Sequence, residues 1–321
     1  MTFPRRLPAA LMVGAPAAAL AAWSARLIAK NSPELHSVAP ESRSPALFAL
    51  QNGVTKDAAH TRRRLFKALA PALRFSTKAV ECRQVQIPAT QDQPAVDVLF
   101  YEPRHTAGPT PGVLWIHGGG LVTGAPEQNH LTCLRIAKEA GARVVNLNYR
   151  FAPEHPFPAG FNDCFHAFTW MHELASDLGI DPHRLAVAGE SAGGGLATAV
   201  AQKAADQGLP VKFQMLVYPM LDDRTTLRHV DPRRGQFVWT RASNAFGWSA
   251  YLGREPRMDH APEYAAPARR ENLEGLAPRG SAWVIGICSM TRTWTTPAVS
   301  KPRGCRANFT LNPVCITPLN S

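Results

Sequence analysis

The segment Gly189-Glu190-Ser191-Ala192-Gly193 constrains the fold of this 321-residue chain more than any other part of its sequence. It fits the pattern G-x-S-x-G, in which a sharp turn between a strand and a helix exposes the hydroxyl of a nucleophilic serine. An apolar stretch, residues 185–188, precedes it, and small, helix-prone residues follow it as far as residue 207. Taken alone, the pattern would be an ordinary glycine–serine turn. In this strand–turn–helix context it predicts that Ser191 is a nucleophile.

A second glycine-rich segment, His117-Gly118-Gly119-Gly120, follows the apolar residues 113–116. Acyl transfer requires N–H donors that point at the negatively charged oxygen of the tetrahedral intermediate. A glycine run lets the backbone approach that oxygen closely. The alternative, a flexible glycine turn, does not explain the histidine or the distance to Ser191. The predicted donors of this oxyanion hole are Gly118, Gly119 and Ala192, and the other residues of the loop motif are His117 and Gly120.

Together these motifs resemble those of the bacterial hormone-sensitive-lipase-like carboxylesterases. The family's H-G-G-G matches residues 117–120, and its G-[DE]-S-A-G-G matches residues 189–194. Residues 149–159 are similar to its Y-R-L-A-P-E-x-P-[FY]-P-A segment. Its D-P-x-R is similar to residues 181–184, and its Y-P matches Tyr218-Pro219. The likeness extends from about residue 80 to about residue 278.

This resemblance implies an α/β-hydrolase, with a mostly parallel sheet, helices on both faces and a helical cap. The alternation of strand and helix patterns along the chain also favours a parallel sheet covered on both faces. The predicted helices are residues 127–140, ended by Gly141, and residues 161–178, and the predicted strands include residues 113–116, 143–148, 185–188 and 213–218. The resemblance further implies that a small-molecule ester of short to medium acyl chain is hydrolysed through an acyl-serine intermediate, without a cofactor. A histidine would take the Ser191 proton, and an aspartate would hold that histidine in the correct tautomer.

We expect four regions along the chain. The first follows Arg5-Arg6 and has the charge and apolar order of a signal peptide or short anchor. The alternatives for it are an exposed alanine-rich helix or a misassigned start codon, so we expect a cytoplasmic protein, with export or membrane anchoring as the alternative. The four regions are an apolar segment at residues 1–30, cap helices at 31–79, a hydrolase core at 80–278 with a cap insertion at about 222–262, and an atypical tail at 279–321.

The end of the sequence departs from the family's pattern. In α/β-hydrolases the catalytic acid and histidine follow the serine along the chain. Residues 275–321 contain no Asp, Glu or His, so no triad Asp or His is found where the fold would place them. We expect the last strand and helix to be missing, through a reading-frame change or a misannotated end, with a novel C-terminal module as the alternative. The predicted activity is impaired ester hydrolysis, and the alternative is an inactive hydrolase-fold remnant or a binding protein.

Other side chains replace the missing acid and base only in part. Asp222 and Asp223 follow the sixth predicted strand, where some α/β-hydrolases place their acid. That assignment still lacks a histidine after the eighth strand. Seven other histidines are candidates for the base, but they lie on predicted turns or helices or in the cap, and none follows the eighth strand. They are His130, His155, His166, His172, His183, His229 and His260.

The composition argues against other classes of function. The net charge is +11, but no aromatic-basic motif accompanies it, so we interpret the charge as a solvated surface and expect no nucleic-acid partner. The six cysteines lack the spacing of a metal site, and we expect neither a metal nor a cofactor. Cys82, Cys133 and Cys164 are predicted to be reduced residues of the core. The sequence leaves the oligomeric state open.

Overall fold

The computed structural model describes residues 53–229, 235 and 237–282 of the chain. The predictions for the apolar segment at residues 1–30, for the first part of the cap at residues 31–52 and for the tail beyond residue 282 fall outside these residues. The expected loss of the last strand and helix falls outside them as well. Among the described residues, no helix combines the length and apolarity that crossing a membrane requires.

Seven described strands form one sheet in the order β1-β2-β4-β3-β5-β6-β7. β2 is antiparallel to both β1 and β4, whereas β4, β3, β5, β6 and β7 run parallel. The predicted mostly parallel sheet is confirmed. Because the carboxyl ends of parallel strands meet at one edge, the loops after β3 and β5 lie side by side there. The strands are β1 Val80–Ile87, β2 Val96–Pro103, β3 Thr110–Ile116, β4 Arg143–Leu147, β5 Ile180–Glu190, β6 Phe213–Val217 and β7 Arg279–Ala282.

The core extends past the boundary predicted at residue 278. Arg279–Ala282 forms β7, which pairs in parallel with β6. Gln214 of β6 holds the two residues that precede β7. Its backbone N–H donates to Pro278 O (2.9 Å), and its side-chain amide donates to Ala277 O (2.9 Å). These four residues therefore belong to the sheet rather than to the tail.

Helices cover both faces of the sheet, as predicted. Leu114 and Ile116 of β3 pack in one buried cluster with the helices that follow β4 and β5. Trp115, between them in the chain, packs on the opposite face with Cys133 and Ile136. This alternation follows from the two-residue period of a strand. The helices are α1 Lys56–Leu73, α2 His130–Ala140, α3 Ala159–Glu173, α4 Ala192–Asp206 and α5 Arg241–Leu252.

Two helices differ in extent from their prediction. The helix predicted over residues 161–178 is Ala159–Glu173, and the chain then turns so that Ile180 N donates to Ala175 O (2.7 Å). The helix predicted over residues 127–140 begins with a separate 3₁₀ turn, Pro126–Asn129, before α2. Gly141 ends α2 as predicted, in the left-handed region at φ 58°, which glycine adopts at little cost.

The cap joins the start of α1 to the start of α5. The backbone N–H of Val54 donates to Ser243 Oγ (2.7 Å). A Cβ added to Gly53 would lie 2.4 Å from the same oxygen, so the two segments are in close contact. Thr55 immediately precedes α1 and caps it, because its side chain accepts from Ala58 N (3.3 Å).

The described cysteines fit their predicted role. Cys133 and Cys164 are buried, Cys82 is half-buried, and all three are free thiols. Burial raises the pKa of Cys82 to about 11. Thiols with so high a pKa stay protonated at neutral pH and behave as small apolar side chains.

Candidate active site

Ser191 occupies a strained turn between β5 and α4. Its backbone lies at φ 52° and ψ −120°, a conformation that non-glycine residues rarely adopt. Three backbone hydrogen bonds hold it there: Ser191 N donates to Val217 O (2.9 Å), and Ser191 O accepts from Met220 N (2.8 Å) and Gly195 N (3.1 Å). The turn is therefore fixed by β6 and the loop after it as well as by its own helix.

The glycines around Ser191 permit close contact with β3. A Cβ added to Gly193 would lie 2.0 Å from Ile116 O and 2.5 Å from His117 O. One added to Gly189 would lie 2.7 Å from Ile116 O. Only residues without a side chain fit at these distances. The first turn of α4 thus packs directly on the end of β3, where the second glycine segment starts.

The loop after β3 meets the serine turn. A Cβ added to Gly118 would lie 3.3 Å from the Cβ of Ser191. Gly119 and Gly120 have φ values of 130° and 64°, which favour glycine. Gly120 packs so closely under Trp239 that an added Cβ would lie 1.9 Å from the indole ring. The structure therefore brings the two predicted motifs together.

Hydrogen bonds hold the carbonyl groups of this loop. The Tyr149 hydroxyl donates to His117 O (3.1 Å), and His117 Nδ1 donates to Gly118 O (2.7 Å). Gly119 O accepts from the N–H groups of Val122 (3.3 Å) and Thr123 (3.1 Å). In the described part of the chain, the N–H groups of Gly118 and Gly119 donate to no backbone carbonyl.

His117 has the environment of a positioning side chain. It is fully buried and stacks on Tyr149 with 4.6 Å between ring centroids. Burial lowers the pKa of His117 to about 4, so the ring is neutral at pH 7. Because Gly118 O can only accept, Nδ1 carries the proton of the neutral ring. The proton on Nδ1 is thus used in a hydrogen bond within the loop that contains His117.

The other described histidines form contacts away from Ser191. His130 Nδ1 lies 3.0 Å from the Tyr101 hydroxyl, and His166 Nε2 lies 3.0 Å from Pro88 O. His60 Nε2 pairs with Glu154 Oε1 (3.1 Å). Among the described residues, no hydrogen bond joins Ser191 or a carboxylate to the ring of any of the others: His105, His155, His172, His183, His229 and His260. The described residues therefore contain no histidine paired with the serine.

Asp222 and Asp223 are engaged by arginines. Asp222 Oδ1 accepts from Arg224 Nε (2.7 Å) and from the backbone N–H of Arg224 (3.0 Å), and the second of these bonds caps a short 3₁₀ turn, Asp223–Thr226. Asp223 is fully buried and accepts from two nitrogens of Arg269 (2.7 and 2.9 Å). Neither carboxylate contacts a histidine in the described structure. The suggestion that one of them replaces the triad acid gains no support from this geometry.

Three residues near the serine had no assigned role in the sequence analysis. Gln128 donates to Glu190 Oε1 (3.3 Å) and to Gly118 O (3.4 Å), and the Tyr218 hydroxyl donates to Glu190 Oε2 (3.3 Å). Glu190 is the variable residue of the serine motif, and Tyr218 belongs to the Tyr218-Pro219 match, so a weak signal for both was present in the motifs. Gln128 lies in neither motif, and nothing local in the sequence indicates it.

The cap contributes an apolar wall beside the predicted third oxyanion donor. A cavity of about 10 Å³ adjoins Ala192 and is lined by Leu196, Met220, Trp248 and Tyr251 among others. Such a volume has room for about one water molecule or methyl group. No group of three or more metal-ligating side chains that could hold an ion occurs among the described residues.

A sequence model described as the alpha/beta hydrolase fold matches residues 113–287. The chain belongs to this family. Its relatives place it with the hormone-sensitive-lipase-like bacterial carboxylesterases. Esterase LipI of Mycobacterium tuberculosis is 40% identical over 170 residues, which cover 52% of each protein. Carboxylic ester hydrolase LipN of the same organism is 32% identical over 237 residues, which cover 72% of this chain and 61% of LipN. The chain thus spans about half to three fifths of the length of these relatives.

Solved structures agree with this assignment. A bacterial heroin esterase is 38% identical, with a TM-score of 0.65 and coverage of 78% of both chains. Esterase LipW from Mycobacterium marinum is 31% identical, with a TM-score of 0.65 and coverage of 77% of both chains. The predicted α/β-hydrolase fold is therefore confirmed, and these two solved structures are of proteins named as esterases.

Proposed function

We propose that this chain is a serine carboxylester hydrolase that acts on small-molecule esters through an acyl group on Ser191. The observation that carries the proposal is the contact between the two glycine segments. The glycine loop approaches to 3.3 Å of the serine, measured from an added Cβ on Gly118. The carbonyl groups of residues 117–119 accept hydrogen bonds from neighbouring side chains and N–H groups. The N–H groups of Gly118 and Gly119 donate to no backbone carbonyl of the described residues, so they are available to bind an oxyanion.

The proposed chemistry follows from these positions. Ser191 Oγ attacks the ester carbonyl carbon, and the N–H groups of Gly118, Gly119 and Ala192 bind the oxygen that becomes negatively charged. The alcohol leaves with the proton that Ser191 Oγ gives up, and the acyl-serine remains. Water then hydrolyses the acyl-serine to the free acid and returns a proton to Ser191 Oγ. His117 and Gly120 shape the loop. The names of the relatives, which are esterases and carboxylic ester hydrolases, support this reaction class.

The missing base limits the proposed rate. A serine hydroxyl without a neighbouring base stays protonated and weakly nucleophilic at neutral pH. The sequence after Gly275 contains no Asp, Glu or His, and the described histidines lie elsewhere. We therefore propose that the chain as printed hydrolyses esters slowly. The same observation favours a second candidate, a hydrolase-fold remnant that binds small esters without turning them over.

Hydrolysis of p-nitrophenyl butyrate tests both candidates. For the chain as printed, the first proposal predicts a rate roughly 10³- to 10⁴-fold above the uncatalysed reaction, from binding and the oxyanion hole. A chimera that continues after Ala282 with the terminus of LipI, provided that this terminus carries an acid and a histidine, should be faster by orders of magnitude. Ser191→Ala in the chimera should remove that gain.

Each outcome discriminates. A turnover of about 10 s⁻¹ or more by the chain as printed, typical of good enzymes, would mean that a base acts on Ser191 and would overturn the proposed impairment. A folded chimera that is no faster than its Ser191→Ala variant would overturn the proposed nucleophile. Binding of the ester without any hydrolysis above background would support the second candidate.

A further inference from the structure

One amide side chain connects the glycine loop with the serine turn. Gln128 lies in the 3₁₀ turn Pro126–Asn129, and its Nε2 lies 3.4 Å from Gly118 O and 3.3 Å from Glu190 Oε1. Its Oε1 accepts from Ala125 N (3.2 Å). Since the amide nitrogen can only donate and both of its neighbours can only accept, these contacts favour a single orientation of the amide group.

Contact with Gly118 O has a consequence for the neighbouring N–H group. The carbonyl of Gly118 and the N–H of Gly119 belong to one planar, trans peptide unit, so they point in opposite directions. Fixing the oxygen therefore fixes the direction of the Gly119 N–H. Two donors reach this oxygen, His117 Nδ1 from within the loop and Gln128 Nε2 from the following turn.

Contact with Glu190 ties the same amide to the serine. Glu190 immediately precedes Ser191, and its second carboxylate oxygen accepts from the Tyr218 hydroxyl (3.3 Å). Burial raises the pKa of Tyr218 above its usual value, so this hydroxyl stays protonated and continues to donate. Gln128 thus contacts both Gly118 and Glu190, the residue next to Ser191, and it holds the two at a fixed separation. The N–H groups of Gly118 and Gly119 donate to no backbone carbonyl of the described residues.

We propose that Gln128 is a positioning residue for ester hydrolysis, which sets the direction of the Gly119 N–H relative to Ser191. The inference rests on the proposed function above, since it concerns the same site. Loss of a whole oxyanion donor costs about 10²- to 10³-fold in kcat. Misdirection of one donor costs less, and we expect a loss of about tenfold in kcat, with little change in KM because the ground-state ester depends less on this hydrogen bond.

Two variants separate the contacts of Gln128. Gln128→Glu keeps the length of the side chain and the acceptor for Ala125 N, but it removes the donor and adds a charge next to Glu190. Gln128→Met removes all three side-chain contacts without adding charge.

The matched control is Gln86→Glu. Gln86 is an exposed glutamine of β1 that donates to Asp97 Oδ1 (3.1 Å), and among the described hydrogen bonds Asp97 has no contact with either motif. The double variant Gln128→Glu with Glu190→Gln removes the like-charge pair without restoring a donor to Gly118 O.

The full-length chain and these variants would be compared in p-nitrophenyl butyrate hydrolysis, thermal unfolding and amide hydrogen exchange. Without a paired base, the residual rate reports mainly on binding and the oxyanion hole, so kcat is a direct readout of loop geometry. Val122 and Thr123, whose N–H groups donate to Gly119 O, report on the loop in exchange measurements even without turnover.

The proposal expects kcat to fall about tenfold in Gln128→Glu, Gln128→Met and the double variant, with KM, the unfolding temperature and the Gln86→Glu control unchanged. Exchange at Val122 and Thr123 should become faster in the same variants. An unchanged kcat would overturn a positioning role. A fall in kcat that is accompanied by a changed KM and a lower unfolding temperature would overturn it as well. If the parent chain has no measurable activity, the proposed function fails, and unchanged exchange at Val122 and Thr123 would then overturn the Gln128 inference on its own.

Discussion

Arg63 on α1 binds Val122, which lies two residues beyond Gly120, the last glycine of the loop proposed to bind the oxyanion. Its Nε donates to Val122 O (2.7 Å), and a second guanidinium nitrogen donates to Ala152 O (2.7 Å). A further nitrogen pairs with Glu154 (2.8 Å), and the guanidinium lies 5.0 Å from the centre of the Phe151 ring. One cap side chain therefore holds two loops at the carboxyl edge of the sheet.

Replacement of this arginine tests how strongly the cap is fixed. Arg63→Ala leaves two carbonyl groups without their charged donor, and we expect a loss of about 2 kcal/mol in the free energy of unfolding, since hydrogen bonds from charged groups contribute about 1.5–3 kcal/mol. Urea denaturation would measure it. Arg64→Ala is the control, because Arg64 is exposed on the same helix. Equal stability of the two variants would show that the Arg63 contacts contribute nothing.

A methyl group at Gly193 should disrupt the packing of α4 on β3. The added Cβ would lie 2.0 Å from Ile116 O, too close for any adjustment of a flexible side chain to relieve. We expect Gly193→Ala to destabilise the fold by about 3 kcal/mol and to remove any activity that depends on Ser191. Gly208→Ala is the comparison, since Gly208 has φ 69° with open space around it and should lose only about 1 kcal/mol. Similar melting temperatures for the two variants would contradict the tight contact.

Asp223 should be important for stability and not for catalysis. Asp223→Ala leaves the partly buried Arg269 without its carboxylate, and breaking such a pair costs about 3 kcal/mol or more. Below its own unfolding temperature the variant should keep the kcat of the parent chain. A loss of kcat near 10⁴-fold, the effect of disabling a triad aspartate, would instead identify Asp223 as the catalytic acid. Glu139→Ala, which removes an exposed i,i+4 pair with Arg135, should change stability by at most about 0.5 kcal/mol.

Stability should fall as the solution becomes acidic, because of His117. The pKa of His117 in the folded chain is about 4, below the ordinary value of 6.5. Between these two values the unfolded chain binds a proton that the folded chain does not bind, so the free energy of unfolding decreases as the pH falls through this window. From pH 7 to pH 5 the loss from this residue is about 2 kcal/mol.

Urea unfolding at the two pH values measures this loss. His117→Gln keeps a neutral side chain at position 117 and should have a smaller difference between pH 7 and pH 5 than the parent chain. His130, whose pKa burial also lowers, contributes in the same direction in both proteins and cancels in the comparison. An identical pH dependence in parent and variant would show that His117 is not the residue responsible.

The elements around the site could be predicted from local sequence because their geometry depends on local residues. A turn such as that of Ser191 needs glycine on both sides, and an oxyanion loop needs a glycine run, so the residue types record the geometry directly. The alternation of apolar strand patterns with helix patterns likewise predicted a parallel sheet covered on both faces. The strands β3, β5 and β6 lie where these patterns predicted them. The predicted extent of α3 was wrong at its carboxyl end, where turns closed by local backbone hydrogen bonds, such as that from Ile180 N to Ala175 O, replace the end of the predicted helix.

What the sequence by itself determined is therefore the fold and the two glycine motifs, since each is encoded by neighbouring residues. Only the tertiary structure decided which distant side chains act on them. It paired Asp223 with Arg269 across 46 positions and connected Arg63 to Val122 across 59. It also placed Gln128 between Gly118 and Glu190. Such partners are selected by the packing of the sheet, the helices and the cap in space, and no spacing along the chain records them.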